Sequence, residues 1–351
     1  MQIILHGGMA MKLLRTVKRA LSVTMALLCL PILGCANNDP EQEPSISLGV
    51  AIYNKDDTFI SNMMLSLTEI AARYEQDTGI RVYVNLTDAQ ENQTNQNKQI
   101  DRFVAMNYDV LCVNLVDRTD ASYTIDRAMD ADIPVVFFNR EPVQEDLQKW
   151  DRVYYIGTDP AENGRLEGQI VVDAYNADPA RFDKNGDGIV QYIIIEGEIR
   201  HQDAMIRTEV SVQTLKDAGI ELEKLDGGIA SWVRSQAAAL SDQYFEKYGD
   251  QIELIICNND DMALGVVDTV ERRGLSFNNI VGIDGTPAGL AAVKEGKMLG
   301  TVVIDYAAQA KLIFDIASEL AMDKDPKEIV DIGADRTVRA PMYVVKADFI
   351  P

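Results

Sequence analysis

The sequence predicts an α/β protein of two lobes, each with a mainly parallel sheet covered by helices on both faces. Short apolar runs typical of buried strands alternate along the chain with amphipathic stretches typical of helices. These runs are apolar throughout, as in parallel sheets that are buried on both faces. The chain of 351 residues has room for about two domains, and the number of strands fits two sheets better than one.

The predicted elements follow each other as strand, loop and helix from Ser45 onwards. Parallel strands need such helical crossovers, so this order favours two doubly covered sheets. Strands are expected at residues 46–53, 81–86, 110–115, 134–138, 153–157, 192–196, 254–257, 280–283 and 301–304. Helices are expected at residues 62–74, 97–106, 164–175, 203–218, 235–248, 262–273 and 307–321.

The composition of the chain argues against certain partners and certain kinds of chemistry. The formal net charge is −22 at pH 7, which argues against nucleic acid or an anionic membrane as a partner surface. His201 is the single His after the N-terminal segment, so zinc catalysis has little support. Cys112 and Cys257 fall in apolar predicted strands and are expected to be buried thiols rather than a disulfide.

The N-terminus has the pattern of a targeting segment. Basic residues between positions 12 and 19 precede an apolar run at 21–33 that is too short to span a membrane. The run ends in Ile32-Leu33-Gly34-Cys35, which resembles a bacterial lipobox. We expect residues 1–34 to be a lipoprotein-type signal peptide, Cys35 to carry the lipid that anchors the protein, and residues 35–44 to be a tether. The alternative is an ordinary secretory signal with a chance Cys.

Residues 183–191 have most of the pattern of a calcium loop. Side-chain oxygens occur at loop positions one, three, five and nine, a glycine at six, and a backbone carbonyl donor at seven. Position twelve, a bidentate Glu in an EF-hand, is Ile194 within a predicted strand. The last carboxylate must come from elsewhere in the chain, so a structural clamp is favoured over a calcium sensor. The residues are Asp183, Asn185, Asp187, Ile189 and Gln191, with Gly188 at the turn.

Polar side chains recur where predicted strands end. The carboxyl ends of parallel strands meet at one edge of a sheet, the usual ligand-binding edge. Any one of these residues could simply cap the next helix, but the series favours a shared ligand crevice. They are Asp57 after the first strand, Asn139 after the fourth, His201 and Asp203 beyond the sixth, Asn259 after the seventh and Asp284 after the eighth.

These side chains suit a neutral ligand with many hydroxyls. Carboxylates accept hydrogen bonds, amides donate and accept, and Arg207 adds a planar donor fork. Phe59 and Trp232 lie outside the core pattern, and their rings could sandwich the C–H faces of a pyranose. Simpler interpretations exist: Phe59 and Trp232 as core residues, and Arg207 as a surface ion pair with Asp203 on one helical face.

Several segments resemble the galactose/glucose-binding proteins, the soluble receptors of bacterial sugar ABC importers. The similarity extends over nearly the whole chain after the tether. The calcium loop together with the His-x-Asp-x-x-x-Arg spacing makes it specific. The segments are Ile52-Tyr53-Asn54-Lys55-Asp56-Asp57-Thr58-Phe59, Val135-Val136-Phe137-Phe138-Asn139-Arg140-Glu141-Pro142, Tyr155-Ile156-Gly157-Thr158-Asp159, the calcium loop, His201-Gln202-Asp203-Ala204 with Arg207-Thr208, Trp232, Asn258-Asn259-Asp260 and Gly282-Ile283-Asp284.

The resemblance implies a type I periplasmic-binding fold with two Rossmann-like lobes joined by a three-strand hinge. The N-terminal lobe would comprise residues 45–157 and 305–339. The C-terminal lobe would comprise residues 158–304 and 340–351 and would carry the calcium loop. The hinge crossings are expected near residues 157–159, 304–306 and 339–342.

The resemblance also implies the roles of the site residues. Phe59 and Trp232 would stack on the two faces of the sugar, and Glu253 would complete the calcium site bidentately. Ile304 departs from the family, which usually has an Asn there, so the choice of glucose or galactose does not follow. The implied hydrogen-bonding contacts are Asp57, Asn139, His201, Asp203, Arg207, Asn259 and Asp284.

The implied function is an extracytoplasmic, monomeric receptor that delivers a monosaccharide to an ABC permease and is not an enzyme. A sugar receptor for a sensor kinase or chemoreceptor is the alternative. A glycosidase using paired carboxylates such as Asp57 and Asp284 is less favoured. A sugar-responsive repressor is disfavoured because a secretion leader occupies the place of a DNA-binding head.

Overall fold

The computed structural model describes residues 44–347. The predicted signal peptide at 1–34, the lipidation site Cys35, the tether up to residue 43 and the last residues, 348–351, lie outside the described part of the chain.

Strands and helices alternate along the described chain. The first elements along the chain are β1 (Ser45–Ile52), α1 (Thr58–Thr78), β2 (Arg81–Asp88), α2 (Gln93–Ala105), β3 (Val110–Val113), α3 (Ala121–Ala131), β4 (Val135–Phe138), α4 (Gln144–Gln148) and β5 (Val153–Gly157). The next are α5 (Pro160–Ala177), β6 (Val190–Glu196), α6 (Gln202–Asp217), β7 (Leu222–Ile229), α7 (Arg234–Tyr248), β8 (Leu254–Cys257), α8 (Asp260–Arg273), β9 (Ile280–Asp284), α9 (Pro287–Lys294) and β10 (Gly300–Ile304). The chain ends with α10 (Tyr306–Ala321), β11 (Thr337–Arg339) and β12 (Met342–Lys346).

The strands form two 6-stranded sheets with matching topology. The first has the order β11-β5-β4-β3-β1-β2 and the second the order β12-β10-β9-β8-β6-β7. All pairings are parallel except that of β10 with β12. Each sheet therefore reverses its strand order once, which opens a crevice at the carboxyl ends of its strands. The prediction of two mainly parallel α/β sheets is confirmed.

The chain passes between the two sheets where β5 leads to α5, where β10 leads to α10, and where β11 leads to β12. Helix α10 packs on α1 and on strands of the first sheet, although it follows a strand of the second. The lobe that contains the first sheet is called the first lobe below, and the other the second lobe.

Different helices cover the two faces of the first sheet. Leu48 and Val50 of β1 belong to the buried cluster that contains α1 and α10, whereas Ala51 belongs to the cluster formed with α2 to α4. Gly49 also faces α2, where a Cβ would lie 2.7 Å from the ring of Phe103. Each fully buried aliphatic side chain stabilises the fold by about 1.5–3 kcal/mol.

Helix starts are fixed by side-chain caps, and three of the capping residues are also predicted ligand contacts. Each cap satisfies a backbone N–H that has no partner within the helix and contributes about 1 kcal/mol. The bonds are Ile60 N to Asp57 Oδ1 (2.9 Å), Met262 N to Asn259 Oδ1 (2.9 Å) and Asp203 N to His201 Nδ1 (3.2 Å).

Some elements were not predicted. Strand β7 at Leu222–Ile229 was not among the predicted strands. This strand is at the edge of its sheet, carries several charged residues, and pairs with β6 through a register shift at Tyr192/Ile193, so it lacks the apolar signature of a central strand. Helices α3, α4 and α9 and strands β11 and β12 were also not predicted. Of these, α4 with 5 residues and β11 with 3 residues are too short to show a period in the sequence.

No helix within residues 44–347 is long and apolar enough to cross a membrane.

Candidate functional site

A cleft at the carboxyl ends of the strands brings together residues of both lobes. About 520 Å³ in and around it, including space open to solvent, is free of protein atoms. All nine predicted contact residues line the cleft. The full lining is Tyr53, Asp57, Phe59, Asn139, Arg140, Thr158, His201, Asp203, Arg207, Trp232, Asn259, Asp284, Ile304 and Gln309. The predicted set is therefore brought together in one place.

Asp57 is held from two directions. One carboxylate oxygen caps α1, and the other accepts a hydrogen bond from the hydroxyl of Tyr53. Burial and the nearby Asp57 carboxylate raise the pKa of Tyr53, so its hydroxyl remains a donor. The carboxylate is thereby fixed with acceptor capacity left over for a ligand.

Asn139 follows β4 in a left-handed backbone conformation, with φ of 62°. Its Oδ1 accepts from Asn114 Nδ2 at 3.1 Å, and its carbonyl oxygen accepts from the Tyr155 hydroxyl at 2.9 Å. The side-chain oxygen is thus used inside the protein, which leaves the amide N–H groups as donors toward the cleft.

His201 is neutral. Burial lowers its pKa well below the usual range, and Arg140 and Arg207 lower it further. Because Nδ1 accepts the Asp203 N–H, the ring proton is assigned to Nε2. The imidazole therefore presents one donor, and its ring lies edge-on to Trp232 with centroids 5.1 Å apart.

Arg207 is a buried cation of the cleft. Its Nη1 donates to the carbonyl oxygen of Asn258 at 3.1 Å, and its Nη2 lies 3.6 Å from Asp203 Oδ2. The Nε of Arg207 and the Oε1 of Gln309 are buried without a hydrogen-bond partner in the protein. The simple surface ion pair considered from the sequence is therefore wrong for Arg207, which is only 6% exposed.

Burial raises the pKa values of both cleft carboxyls of the second lobe, Asp203 and Asp284, and Arg207 opposes the rise in each. Asp284 and Trp232 both have positive φ, at 121° and 67°. Such backbone is costly for residues other than glycine and tends to occur at functional sites.

The ring of Trp232 occupies the space that a side chain at Gly197 would fill. The ideal Cβ position of Gly197 lies 2.2–2.4 Å from three atoms of the Trp232 ring, so no side chain fits there. Phe59 is only 6% exposed and belongs to the core of the first lobe, yet it also lines the cleft. Phe59 is therefore a core residue at the edge of the cleft, and its contact with a ligand stays a prediction.

Sequence reasoning did not assign four lining residues, although three of them lie within the segments that carried the resemblance. Arg140 is 5% exposed, lies over the Tyr53 ring at 3.7 Å, and donates to Glu198 at 2.7 Å. The missed residues are Tyr53, Arg140, Thr158 and Gln309.

Glu167 on α5 is fully buried, and neither carboxylate oxygen has a hydrogen-bond partner. Burial raises its pKa well above the usual range, with Arg207 as the main opposing charge. No sequence signal pointed to it, because a Glu in an amphipathic helix is normally exposed.

The predicted calcium loop is closed by a side chain from a distant part of the chain. Glu253, just before β8, is 1% exposed, and its two carboxylate oxygens accept from the backbone N–H groups of Lys184 and Gln191. Asp187 Oδ2 accepts from Asn185 Nδ2 and from Gln191 Nε2, each at 2.9 Å.

The loop has one buried oxygen atom that a hard cation could bind. Asp183 Oδ1, at loop position one, is buried without a hydrogen-bond partner, which is costly unless something else binds it. No three His, Cys, Asp or Glu side chains in residues 44–347 converge as a metal centre by themselves. A cation here would depend also on the amide oxygens of Asn185 and Gln191 and on the Ile189 carbonyl.

Two doubly wound lobes with a polar, partly aromatic cleft between them define a ligand-binding protein of the two-lobed periplasmic type. Comparison with known proteins agrees: the periplasmic binding protein domain family matches residues 48–325. The chain belongs to this family, and its fold is the type I periplasmic-binding fold.

The chain is 34% identical to the D-galactose/methyl-galactoside binding periplasmic protein MglB of Haemophilus influenzae, over 86% of this chain and 89% of that one. It is 30% identical to a putative rhizopine-binding protein of Rhizobium meliloti, over 68% of this chain and 74% of that one. A solved ABC transporter solute binding protein of Bacillus halodurans with bound myo-inositol is 27% identical, with a TM-score of 0.71 over 88% of this chain and 97% of the other.

Proposed function

We propose that this protein is an extracytoplasmic sugar receptor that holds a monosaccharide between its lobes and delivers it to an ABC importer. One observation carries the proposal: the residues expected to contact a sugar, distant in sequence, line a single cleft between the two lobes. The relatives named above, which bind galactosides or inositol by name, support the same class of ligand.

The cleft has the chemistry that hydroxyl groups require. Asp57, Asp203 and Asp284 are acceptors, while Asn139, His201 and Arg207 are donors. The rings of Phe59 and Trp232 supply the apolar surfaces for the C–H faces of a sugar. A hydroxylated ligand would also provide partners for the buried Arg207 Nε and Gln309 Oε1.

The two lobes already touch across the cleft. Thr58 Oγ1 donates to Asp261 Oδ2 at 2.6 Å, and Arg140 pairs with Glu198 at 2.7 Å. Closure of this kind excludes water from buried hydrogen bonds and presents both lobes to a membrane partner. A hexose has about twelve non-hydrogen atoms, and at roughly −0.7 kcal/mol for each the expected affinity is near-micromolar.

We infer further that calcium is bound as a structural ion by the loop at 183–191 together with Glu253, and that Cys35 carries a lipid anchor. The ion would supply positive charge that holds the loop to the residue before β8. Asp183, Asn185, Asp187, Gln191 and Glu253 would ligate it through side chains, and Ile189 through its carbonyl.

A thermal-shift screen of monosaccharides, with calcium and with chelator, tests the function, and calorimetry then measures the affinity of each hit. We expect at least one hexose to raise the melting temperature and to be recovered unchanged. If no sugar raises the melting temperature, the proposed receptor function is refuted. If a sugar is converted to a product, the protein is an enzyme instead.

A further inference from the structure

One corner of the cleft lies where the chain passes from the second lobe to the first, between β10 and α10. Ile304 is the last residue of β10, and Gln309 lies in the first turn of α10. Both line the cleft, as does Phe59 of α1, the helix on which α10 packs. Ile304 is 2% exposed and Gln309 is 1% exposed, so a ligand group in this corner would have little contact with water.

The side chain of Gln309 carries an unsatisfied polar atom. Its Oε1 is buried and has no hydrogen-bond partner within residues 44–347. The backbone N–H of Gln309 is satisfied, because it donates to the carbonyl oxygen of Asp305 at 3.0 Å. A buried amide oxygen without a partner lowers the stability of a protein. Since this oxygen belongs to a side chain that lines the cleft, a ligand hydroxyl is a group that could satisfy it.

The two side chains that share the corner with Gln309 are apolar. A ligand hydroxyl that faces Ile304 or Phe59 can hydrogen-bond to neither of them. The amide of Gln309 can accept a hydrogen bond from such a hydroxyl through Oε1 and donate one through Nε2. Gln309 is therefore the polar contact that these three residues offer, while Ile304 and Phe59 suit the carbon-bound hydrogens of a sugar ring.

We propose that Gln309 is a specificity-determining residue that contacts one hydroxyl group of the bound monosaccharide directly. A sugar that presents a hydroxyl to the amide and C–H groups to Ile304 is favoured over an isomer that presents them the other way round, because the isomer leaves both a hydroxyl and the amide unpaired. The inference rests on the proposed sugar-binding function and adds to it a contact that selects among sugars.

Gln309→Met tests the contact, because Met is an unbranched, helix-favouring residue of similar length that lacks the amide. We expect D-galactose or D-glucose, whichever binds the wild-type protein more tightly, to bind the variant roughly tenfold more weakly, since its hydroxyl then meets an apolar side chain. The melting temperature of the ligand-free variant should be unchanged or higher, because a buried unsatisfied acceptor is removed. A weaker affinity without a lower stability distinguishes a ligand contact from a residue that only supports the fold.

Ser318→Ala is the matched control. Ser318 is another buried polar residue of α10, at 3% exposed, and is not part of the cleft lining. Its hydroxyl donates to the carbonyl oxygen of Asp315 at 3.1 Å. We expect Ser318→Ala to change the sugar affinity less than about twofold, because it removes a polar group from the same helix without touching the cleft.

Monodeoxy sugars identify the hydroxyl that Gln309 contacts. Calorimetry compares the better-bound hexose with its monodeoxy derivatives, each lacking a different hydroxyl group, on the wild-type protein and on Gln309→Met. We expect one derivative to bind the wild-type protein roughly tenfold more weakly than the parent sugar, and to bind Gln309→Met within about twofold of the parent. This pattern follows because the missing hydroxyl and the missing amide are partners in one hydrogen bond.

Two results would overturn the inference while leaving the receptor function intact. An unchanged affinity of Gln309→Met would show that the amide makes no contact with the sugar. Losses that are the same in both proteins for every monodeoxy derivative would show that the variant acts through a displaced backbone or side chain instead. If the wild-type protein binds neither hexose, the ligands assumed here are wrong, and the inference is refuted with them.

Discussion

Gly197→Ala should weaken sugar binding although Gly197 does not line the pocket. A Cβ at this position would lie 2.2 Å from Trp232 Cη2, 2.3 Å from Cζ2 and 2.4 Å from Cζ3. Carbon atoms pack at about 3.5–4.0 Å, so the indole must withdraw by roughly 1.3 Å or more. The backbone N–H of Gly197 donates to Asn258 Oδ1 at 3.0 Å, and Ala can make the same hydrogen bond because it keeps this N–H.

The displaced ring would no longer stack on the sugar. Stacking of an aromatic ring is worth about 0.5–1.5 kcal/mol beyond the buried area, so with the lost burial we expect a cost of about 1–3 kcal/mol. This corresponds to a roughly 5- to 150-fold weaker affinity. Calorimetry with the tightest-binding sugar of the screen measures the loss, and a melting curve checks that the variant is folded.

A double-mutant cycle tests the route of the effect. Trp232→Ala alone should also weaken binding, and Gly197→Ala should add little in the Trp232→Ala background because the ring it displaces is gone. Equal costs of Gly197→Ala in both backgrounds would refute the reasoning, as would an unchanged affinity of the single variant.

Three further predictions concern the metal loop, a buried acid and specificity. Glu253→Gln should lower the melting temperature in calcium but hardly in chelator; equal drops would exclude Glu253 as a ligand. Glu167→Gln should stabilise the protein by about 1–3 kcal/mol at pH 8, because burial disfavours the ionised carboxylate, which the neutral amide cannot become. The gain should vanish near pH 4.5, since an acid whose folded pKa is raised lowers stability only as the pH rises above its unfolded value. The control in urea melts is Glu209→Gln, an exposed acid on α6, the helix that packs on α5, and a gain independent of pH would contradict the sign. Ile304→Asn should shift preference among the hexoses of the screen by adding a hydrogen-bonding group beside the ligand; an unchanged ranking would show that Ile304 does not face a hydroxyl.

Local signals were strong enough to predict the central strands of both sheets. Strands such as β3 and β8 are buried along their whole length, and their apolar runs are visible in the sequence. The edge strand β7 could not be found in this way, because one side of an edge strand faces solvent and its residues are partly charged.

The polar residues after the strands could be predicted as a group, but their double use could not. Asp57, His201 and Asn259 each cap a helix and also line the cleft. From the sequence these uses looked like alternatives. They coincide because a helix that starts at the carboxyl end of a strand begins at the ligand-binding edge.

The sequence by itself determined the alternation of strands and helices, the character of the cleft residues and most of the calcium-loop pattern, because these depend on neighbours along the chain. Only the tertiary structure decided that Glu253 meets the loop, that Gly197 makes room for Trp232, and that Arg140 pairs with Glu198 of the other lobe. Each of these is a contact between residues far apart in the sequence. Such contacts are set by how helices and sheets pack in space, which no local spacing encodes.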